Sequence, residues 1–186
     1  MVNVNLFPSS APNFMITSGK GTNQLSPLVA FDAALINAGI SDYNLVKISS
    51  ILPAGAQKCE KITVNKGFPI WTVYSTVSSN DPGTILATAV SIGIPEDPNS
   101  VGVIMETNEI MNFHARTLAG RKDKITFDAK DLSEKLEAKI KLMTETAMKN
   151  HGIALKEILV SSAYGTIIPN LAGSPYLSLI SAVCIW

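Results

Sequence analysis

Short runs of apolar residues bounded by turn residues are the commonest pattern along the chain, and they predict β-strands. Valine, isoleucine, threonine and tyrosine are frequent in these runs, as is typical of a pleated, half-buried surface. The segment "TILATAVSIGIP" (84–95) is ambiguous, because its alanines favour a helix and its β-branched residues favour a strand. The other predicted strands are "NLVKISSILP" (44–53), "KITV" (61–64), "IWTVYSTVSS" (70–79), "VGVIMETN" (101–108), "KEILVSSAYGT" (156–166) and "YLSLISAVCIW" (176–186).

Two segments repeat their apolar residues at helical spacing instead. The first is "LSPLVAFDAALINAGI" (25–40), in which Ser26 is placed as the N-cap, Pro27 as the first helical residue and Gly39 as the end. The second is "DLSEKLEAKIKLMTETAMKNHG" (131–152), which ends at a glycine. Its apolar stripe comprises Leu132, Leu136, Ile140, Met143 and Ala147. Strands interleaved with two helices indicate an α/β or α+β organisation.

The composition limits the classes of protein to which the chain can belong. The 186 residues are 46% hydrophobic and only 16% charged, with 15 basic and 15 acidic side chains. This length suits a single domain, and the balanced charge gives no electrostatic reason to expect nucleic acid or an anionic membrane as a partner. Many apolar and few charged residues predict that apolar surface is covered by other subunits. No run approaches the length of a transmembrane helix and no secretory signal pattern is present, so we expect a cytoplasmic protein.

Several features carry no strong functional signal. Cys59 and Cys184 lie far apart, and with only His114 and His151 elsewhere they form no metal-ligand spacing. They are therefore predicted to be free thiols, without a metal site. The motif "GKGT" (19–22) matches part of a phosphate-binding loop but lacks the glycine that should stand five residues earlier. It is predicted to be a flexible turn that follows a short strand.

Two adjacent serines, Ser49 and Ser50, occupy the middle of the predicted strand 44–53. Because side chains alternate along a strand, the two hydroxyls should point to opposite faces, and one of them should be buried. A buried hydroxyl needs a hydrogen-bond partner or a chemical task. The alternative is an edge strand whose hydroxyls bind backbone groups. No Gly-x-Ser-x-Gly sequence surrounds the pair, so a hydrolase of that type is not indicated.

Two carboxylates stand in apolar surroundings. Asp32 shares a helix face with apolar residues three and four positions away on both sides. In such a stripe a carboxylate needs a cation, unless it lies at a rim where it reaches water. Glu106 ends the apolar run 101–105. It is either the first solvated residue after a buried strand or a proton donor whose pKa is raised by apolar neighbours.

These residues lie within a pattern that resembles the pyruvoyl-dependent arginine decarboxylases. The resemblance extends from Pro27 to Glu106 and more loosely to the C-terminal helix and strands. It differs from the family at Ala54, where a second proline is expected, and in "NFHARTLAGRKDKITF" (112–127), which is longer than usual. The blocks that carry the resemblance are "AFDAALINAGI" (30–40), "NLVKISSILP" (44–53), "SSNDPGTILATAVSIGIP" (78–95) and "GVIMET" (102–107).

The resemblance implies one α+β domain, residues 1–186, folded as a four-layer αββα sandwich of the pyruvoyl-dependent histidine/arginine decarboxylase type. In that family the chain cuts itself before a serine. Here this implies cleavage between Ser49 and Ser50 into chains 1–49 and 50–186, and it makes Ser50 the source of the covalent pyruvoyl cofactor. It further implies a homo-oligomer, a trimer or dimer of trimers, with active sites between protomers.

The resemblance also assigns roles to single residues. L-Arginine would form an imine with the ketone at residue 50, lose CO₂ and leave as agmatine, with Glu106 protonating the former α-carbon. Asp32 would hold the guanidinium, and Asn44 would donate a hydrogen bond near the cleavage site. No metal, nucleotide or pyridoxal phosphate is implied. Two alternatives stay open, namely a pyruvoyl decarboxylase for another basic amino acid and an uncleaved, inactive subunit of an oligomer.

Overall fold

Two β-sheets lie face to face, and one helix packs on the outer surface of each. The structure is a computed structural model, and it describes residues 12–112, 129–168 and 175–186. Within these residues sheet A has the strand order β2-β5-β9-β1-β4 and sheet B the order β3-β7-β6-β8. The strands are β1 (Asn13–Asn23), β2 (Asn44–Lys47), β3 (Ile51–Leu52), β4 (Gln57–Lys58), β5 (Pro69–Ser79), β6 (Thr84–Pro95), β7 (Gly102–Asn112), β8 (Leu155–Thr166) and β9 (Tyr176–Ile185); the helices are α1 (Pro27–Ala38) and α2 (Ala129–Asn150).

The alternation of side chains along the central strands fixes the order of the layers. On β9, Ala182 and Cys184 pack towards α1, whereas Val183 between them packs between the two sheets. On β6, Val90 packs between the sheets and Ala89 faces α2. Since successive residues of a strand face opposite sides, each sheet is covered on both faces. The layers run helix, sheet, sheet, helix, which confirms the predicted α+β, four-layer αββα sandwich.

The ambiguous segment 84–95 is a strand. It forms β6, the 12-residue strand that pairs with β7 on one side and β8 on the other. Its residues are buried from Thr84 to Gly93. A strand covered on both faces needs no polar alternation, and its continuous apolar pattern therefore resembles that of a buried helix.

The predicted turn at "GKGT" is wrong, because residues 19–22 lie inside the 11-residue strand β1. The two glycines there allow α1 to lie directly on the strand. A Cβ added to Gly19 would collide with the backbone carbonyl of Ala34, and one added to Gly21 would collide with that of Ala30. Only glycine permits this approach, so the motif serves the contact between a helix and a sheet.

Both predicted helices are confirmed, with small changes. Ser26 caps α1 by accepting a hydrogen bond from the Val29 N–H at 3.2 Å, and Gly39 ends the helix with φ of 74°. In α2, Met143 is only half-buried, and Thr144 beside it is buried instead. The Thr144 hydroxyl satisfies its hydrogen bonds within the core through the Ile140 carbonyl, at 2.9 Å, and the Ser91 hydroxyl.

The predicted strand 61–64 is wrong, because none of its residues lies in a strand. Ile62 and Val64 pack instead against the cluster between α1 and sheet A. Between them, the Thr63 hydroxyl accepts a hydrogen bond of 3.0 Å from the indole of Trp186. The apolar spacing therefore reflects a loop that covers the sheet.

The two cysteines are free, as predicted. Burial raises the pKa of the Cys184 thiol to about 12, so this group is unreactive near neutral pH. Cys59 is half-buried, and its sulfur lies 3.5 Å from the Asn13 side-chain oxygen. Of the histidines, His151 is exposed and His114 lies outside the described residues.

Two kinds of feature are absent from residues 12–112, 129–168 and 175–186. No group of three or more histidine, cysteine, aspartate or glutamate side chains is placed to hold a metal ion in this part of the chain. None of the helices found there is long and apolar enough to cross a membrane.

Candidate active site

The paired serines lie where the chain passes from one sheet to the other. β2 before them is parallel to β5 in sheet A, whereas β3 after them is antiparallel to β7 in sheet B. The predicted continuous strand 44–53 is therefore wrong in its middle. The Ile48 N–H still binds the Thr72 carbonyl of sheet A, at 3.2 Å, and the Ser50 carbonyl already accepts from the Ile104 N–H of sheet B, at 2.8 Å. Within this short crossing the backbone cannot pair with both sheets at once.

The peptide bond between the serines lies in a tight turn. The Ile51 N–H donates to the Ser49 carbonyl at 2.9 Å, two residues back along the chain. This pattern defines a γ-turn, and it is the inverse form because no described residue other than glycine has a positive φ. The Ser49 carbonyl therefore already accepts a hydrogen bond from a fixed backbone N–H before any reaction begins.

Ser50 and Glu106 meet at this crossing. The Ser50 hydroxyl donates to the Glu106 carboxylate at 3.2 Å, and both side chains are half-buried. Ser49 is exposed, so the expectation that one serine is buried holds only in part, for Ser50. Glu106 is fixed by its place on β7, where it pairs with Val90 of β6. The structure thereby brings together the two residues that the sequence indicated separately.

An apolar cavity of about 260 Å³ adjoins the serine pair. Apart from Ser49, sequence reasoning did not identify the residues that form it, because they come from both sheets, including β9 of sheet A. The cavity is mainly apolar, and in the single chain it is partly open to solvent. Its lining residues are Ile48, Ser49, Ile51, Pro53, Trp71 and Ile185.

Asn44 does not meet the serines in this structure. It is exposed at the start of β2, and its side-chain amide donates to the Gly67 carbonyl at 2.7 Å. Among the described residues no hydrogen bond joins it to Ser49 or Ser50. The donor at the Ser49 carbonyl is the Ile51 N–H instead.

Asp32 lies on the outer face of α1, exposed in the single chain. Three of its four apolar neighbours are exposed as well, with Leu28 at 74%, Val29 at 41% and Ile36 at 61%, whereas Leu35 is half-buried. The face that packs on the sheet is instead the small-residue stripe Ala30, Ala34 and Ala38. Within one protomer Asp32 therefore reaches water, and it stands in an apolar patch that the protomer does not cover.

Comparison with known proteins places these features in a family. A model of pyruvoyl-dependent arginine decarboxylase matches residues 13–172. The chain is 40% identical over 104 residues to the pyruvoyl-dependent arginine decarboxylase of Methanococcus aeolicus, a match that covers 55% of this chain and 62% of the relative. It is 34% identical over 142 residues to that of Pyrococcus abyssi, covering 75% of this chain and 77% of the relative.

The match thus spans about six-tenths of the length of the Methanococcus aeolicus relative. Among solved structures, a pyruvoyl-dependent histidine decarboxylase at pH 8 matches with a TM-score of 0.41 and 15% identity. That match covers 63% of this chain and 48% of the other.

Proposed function

The chain belongs to the pyruvoyl-dependent arginine decarboxylase family, and from this premise we propose that it cleaves itself between Ser49 and Ser50 and converts L-arginine to agmatine and CO₂. The observation that carries the proposal is the hydrogen bond between the Ser50 hydroxyl and the Glu106 carboxylate. The bond brings together a hydroxyl that would serve as the nucleophile and a carboxylate that would accept its proton, at the position where the family pattern expects cleavage.

Residue 50 suits the formation of a pyruvoyl group. Its side chain supplies the β-oxygen that such a group requires, and its carbonyl is held by the Ile104 N–H. When formed, the group supplies the ketone that receives the substrate amine and the electron pair released with CO₂. The residues around it belong to rigid strands of sheet B, which would keep that ketone in one position.

Self-cleavage would begin at the Ser50 hydroxyl. Glu106 accepts the hydroxyl proton while the oxygen attacks the Ser49 carbonyl carbon, and the bond from that carbon to the Ser50 nitrogen breaks. Glu106 then returns the proton to this nitrogen, so an ester replaces the amide. Negative charge develops on the Ser49 carbonyl oxygen, to which the Ile51 N–H already donates at 2.9 Å. A donor fixed before the reaction stabilises this charge without reorganisation.

After cleavage the same glutamate would serve decarboxylation. Glu106 lies beside residue 50 and would deliver a proton to the former α-carbon of arginine, which completes agmatine. The cavity next to the serine pair would offer that carbon an apolar lining, formed by Ile48, Ile51 and Trp71.

Asp32 is the residue proposed to bind the guanidinium, because a carboxylate can accept two parallel hydrogen bonds from that planar group. We place it in a site completed by a neighbouring copy of the chain. Support comes from the exposed apolar residues around Asp32, which a second copy would cover. In this homo-oligomer the α1 face of one protomer would lie against the serine crossing of another.

Intact-mass spectrometry of the purified protein tests the proposal. The parent chain is expected to yield two chains that part between Ser49 and Ser50, the longer one carrying a ketone that borohydride reduces. Ser50→Ala removes the attacking hydroxyl and should give a single, inactive chain. Ser49→Ala serves as the matched control and should still cleave. Cleavage of the Ser50→Ala chain at this bond would refute the assignment, and a parent that stays whole would refute self-cleavage itself.

A further inference from the structure

A second backbone donor lies at the cleavage site, and it acts on a different carbonyl. The Ile104 N–H donates to the Ser50 carbonyl at 2.8 Å. This bond continues the antiparallel register of β3 and β7, in which Ile51 faces Val103 and Leu52 faces Gly102. Ile104 is fully buried, so its N–H is held in place by the core.

The Ser50 carbonyl matters in the step that follows ester formation. Once the Ser49 acyl group sits on the Ser50 oxygen, the α-proton of Ser50 must leave, and here it passes to the Glu106 carboxylate. The electron pair left on the α-carbon is shared with the Ser50 carbonyl oxygen. The bond from the β-carbon to the ester oxygen then breaks, its electrons depart with the Ser49 carboxylate, and a double bond remains at residue 50. Water later replaces the amine, which leaves as ammonia.

We propose that the Ile104 backbone N–H is a catalytic group of this elimination, because it stabilises the charge on the Ser50 carbonyl oxygen. The inference rests on the proposed self-cleavage, in which two backbone N–H donors would act in successive steps. The Ile51 N–H serves the Ser49 carbonyl in the first step, and the Ile104 N–H serves the Ser50 carbonyl in the second. A single preorganised donor of this kind accounts for roughly 10²- to 10³-fold in rate.

The test replaces Ile104 with the α-hydroxy acid analogue of isoleucine, which exchanges one backbone N–H for an oxygen and keeps the side chain. Ile110 offers a matched control, since strand alternation directs its N–H to the same edge of β7. It is exposed and lies beyond the part of β7 that pairs with β3. The same replacement there removes an N–H that faces no strand in the described structure. Cleavage is followed by mass spectrometry from the freshly folded precursor.

Hydroxylamine identifies the step, because it cuts esters but leaves the peptide bond intact on the same time scale. The Ile104 replacement should slow cleavage by roughly 10²-fold or more, yet hydroxylamine should release chain 1–49 from it. The Ile110 replacement should cleave like the parent. Cleavage of the Ile104 variant at the parent rate would overturn the proposal. Slow cleavage together with resistance to hydroxylamine would also overturn it, because the donor would then act before the ester forms.

A second variant keeps the proposal testable if the Ile104 replacement does not fold. In Gly102→Ala, the new Cβ would lie 2.7 Å from the Gly93 carbonyl oxygen of β6 and 3.2 and 3.3 Å from side-chain atoms of Leu52 in β3, so β7 must shift against both neighbouring strands, which disturbs the hydrogen bond from the Ile104 N–H to the Ser50 carbonyl. Gly93→Ala is its control, because its closest contacts are the flexible side chain of Met148. The Gly102 variant should accumulate hydroxylamine-sensitive precursor and the Gly93 variant should not. The opposite result refutes the role of Ile104, whereas failure of the parent to cleave refutes the proposed function.

Discussion

The residues proposed to react show what the linear sequence can and cannot reveal. Ser50 and Glu106 were each indicated by the sequence, but their hydrogen bond joins positions 56 residues apart. No local spacing encodes such a contact, since it arises from the pairing of β3 with β7. The backbone donors of Ile51 and Ile104 carry no side-chain signature at all, and only the fold reveals them.

Glu106→Gln should slow both self-cleavage and decarboxylation, because an amide cannot accept the hydroxyl proton or return it. We expect turnover to fall by about 10²-fold or more, the range for a lost general acid or base. The rate of self-cleavage is measured by mass spectrometry. The kcat for arginine is measured on the fraction of the protein that has cleaved. Glu109→Gln is the control, since Glu109 is exposed on the same strand. Parent rates of both reactions in the Glu106 variant would remove this residue from the mechanism.

Asp32→Asn should weaken arginine binding by about 2–4 kcal/mol, the range for removing one charge of a desolvated pair. Self-cleavage should persist, because Asp32 is assigned to the far end of the substrate. The measurement is KM for arginine, compared with Asp42→Asn. Asp42 is an exposed aspartate that pairs with Lys66 at 2.8 Å, so its loss should leave KM unchanged. An unchanged KM in the Asp32 variant would leave the guanidinium without an assigned partner.

At the level of elements, the presence of a helix or a strand was predictable where one spacing of apolar residues dominated the segment. The caps of α1 and the stripe of α2 follow from local chemistry. The errors fall where tertiary contacts override the local pattern. Residues 19–22 form a strand because they pair with β9, and their glycines let α1 lie close to it; residues 61–64 form a loop that covers the sheet. The crossing at 48–50 was hidden because its flanks belong to two sheets.

Gly21→Ala tests the contact between α1 and β1. The added methyl would meet the Ala30 carbonyl and the Ala34 N–H, both in the helix backbone, so α1 must move away from the sheet. We expect a loss of unfolding free energy of about 1–3 kcal/mol, as for overpacked cores. Gly165→Ala is the comparison, because its added methyl meets side-chain atoms, the nearest being Leu177 Cδ2 at 2.9 Å. Urea denaturation of uncleaved Ser50→Ala chains gives the values, and equal losses would contradict the argument.

At the scale of the whole molecule, the two outer faces of the sandwich differ in how many apolar side chains they expose to water. Leu28 on the outer face of α1 is 74% exposed, and Leu25, two residues before the helix, is 83% exposed, whereas the opposite face of the helix packs on sheet A. Single exposed apolar residues are ordinary, but several adjoining ones on one helix indicate a covered surface. The composition predicted such a surface, and we propose that it is the outer face of α1.

Leu28→Asp should therefore separate the proposed homo-oligomer into protomers, because it introduces a charge into an apolar contact. The mass in solution is measured by light scattering, and arginine turnover should fall with it. Leu142→Asp is matched to it, since Leu142 is 64% exposed on α2, at the opposite side of the sandwich. A parent that is monomeric, or a Leu28 variant that still assembles, would contradict this assignment.

The position of the crossing also determines how the protein can recover from denaturation. The proposed cut would place β1, α1 and β2 in one chain, while β9 and β5, their neighbours in sheet A, would belong to the other. The precursor folds as a unimolecular reaction, whereas the mature pair would have to find each other in solution. Renaturation of the mature protein should then depend on concentration, and that of the Ser50→Ala chain, before it assembles, should not. After maturation, recovery of the fold would require two separate chains to associate, and dilution would prevent this association.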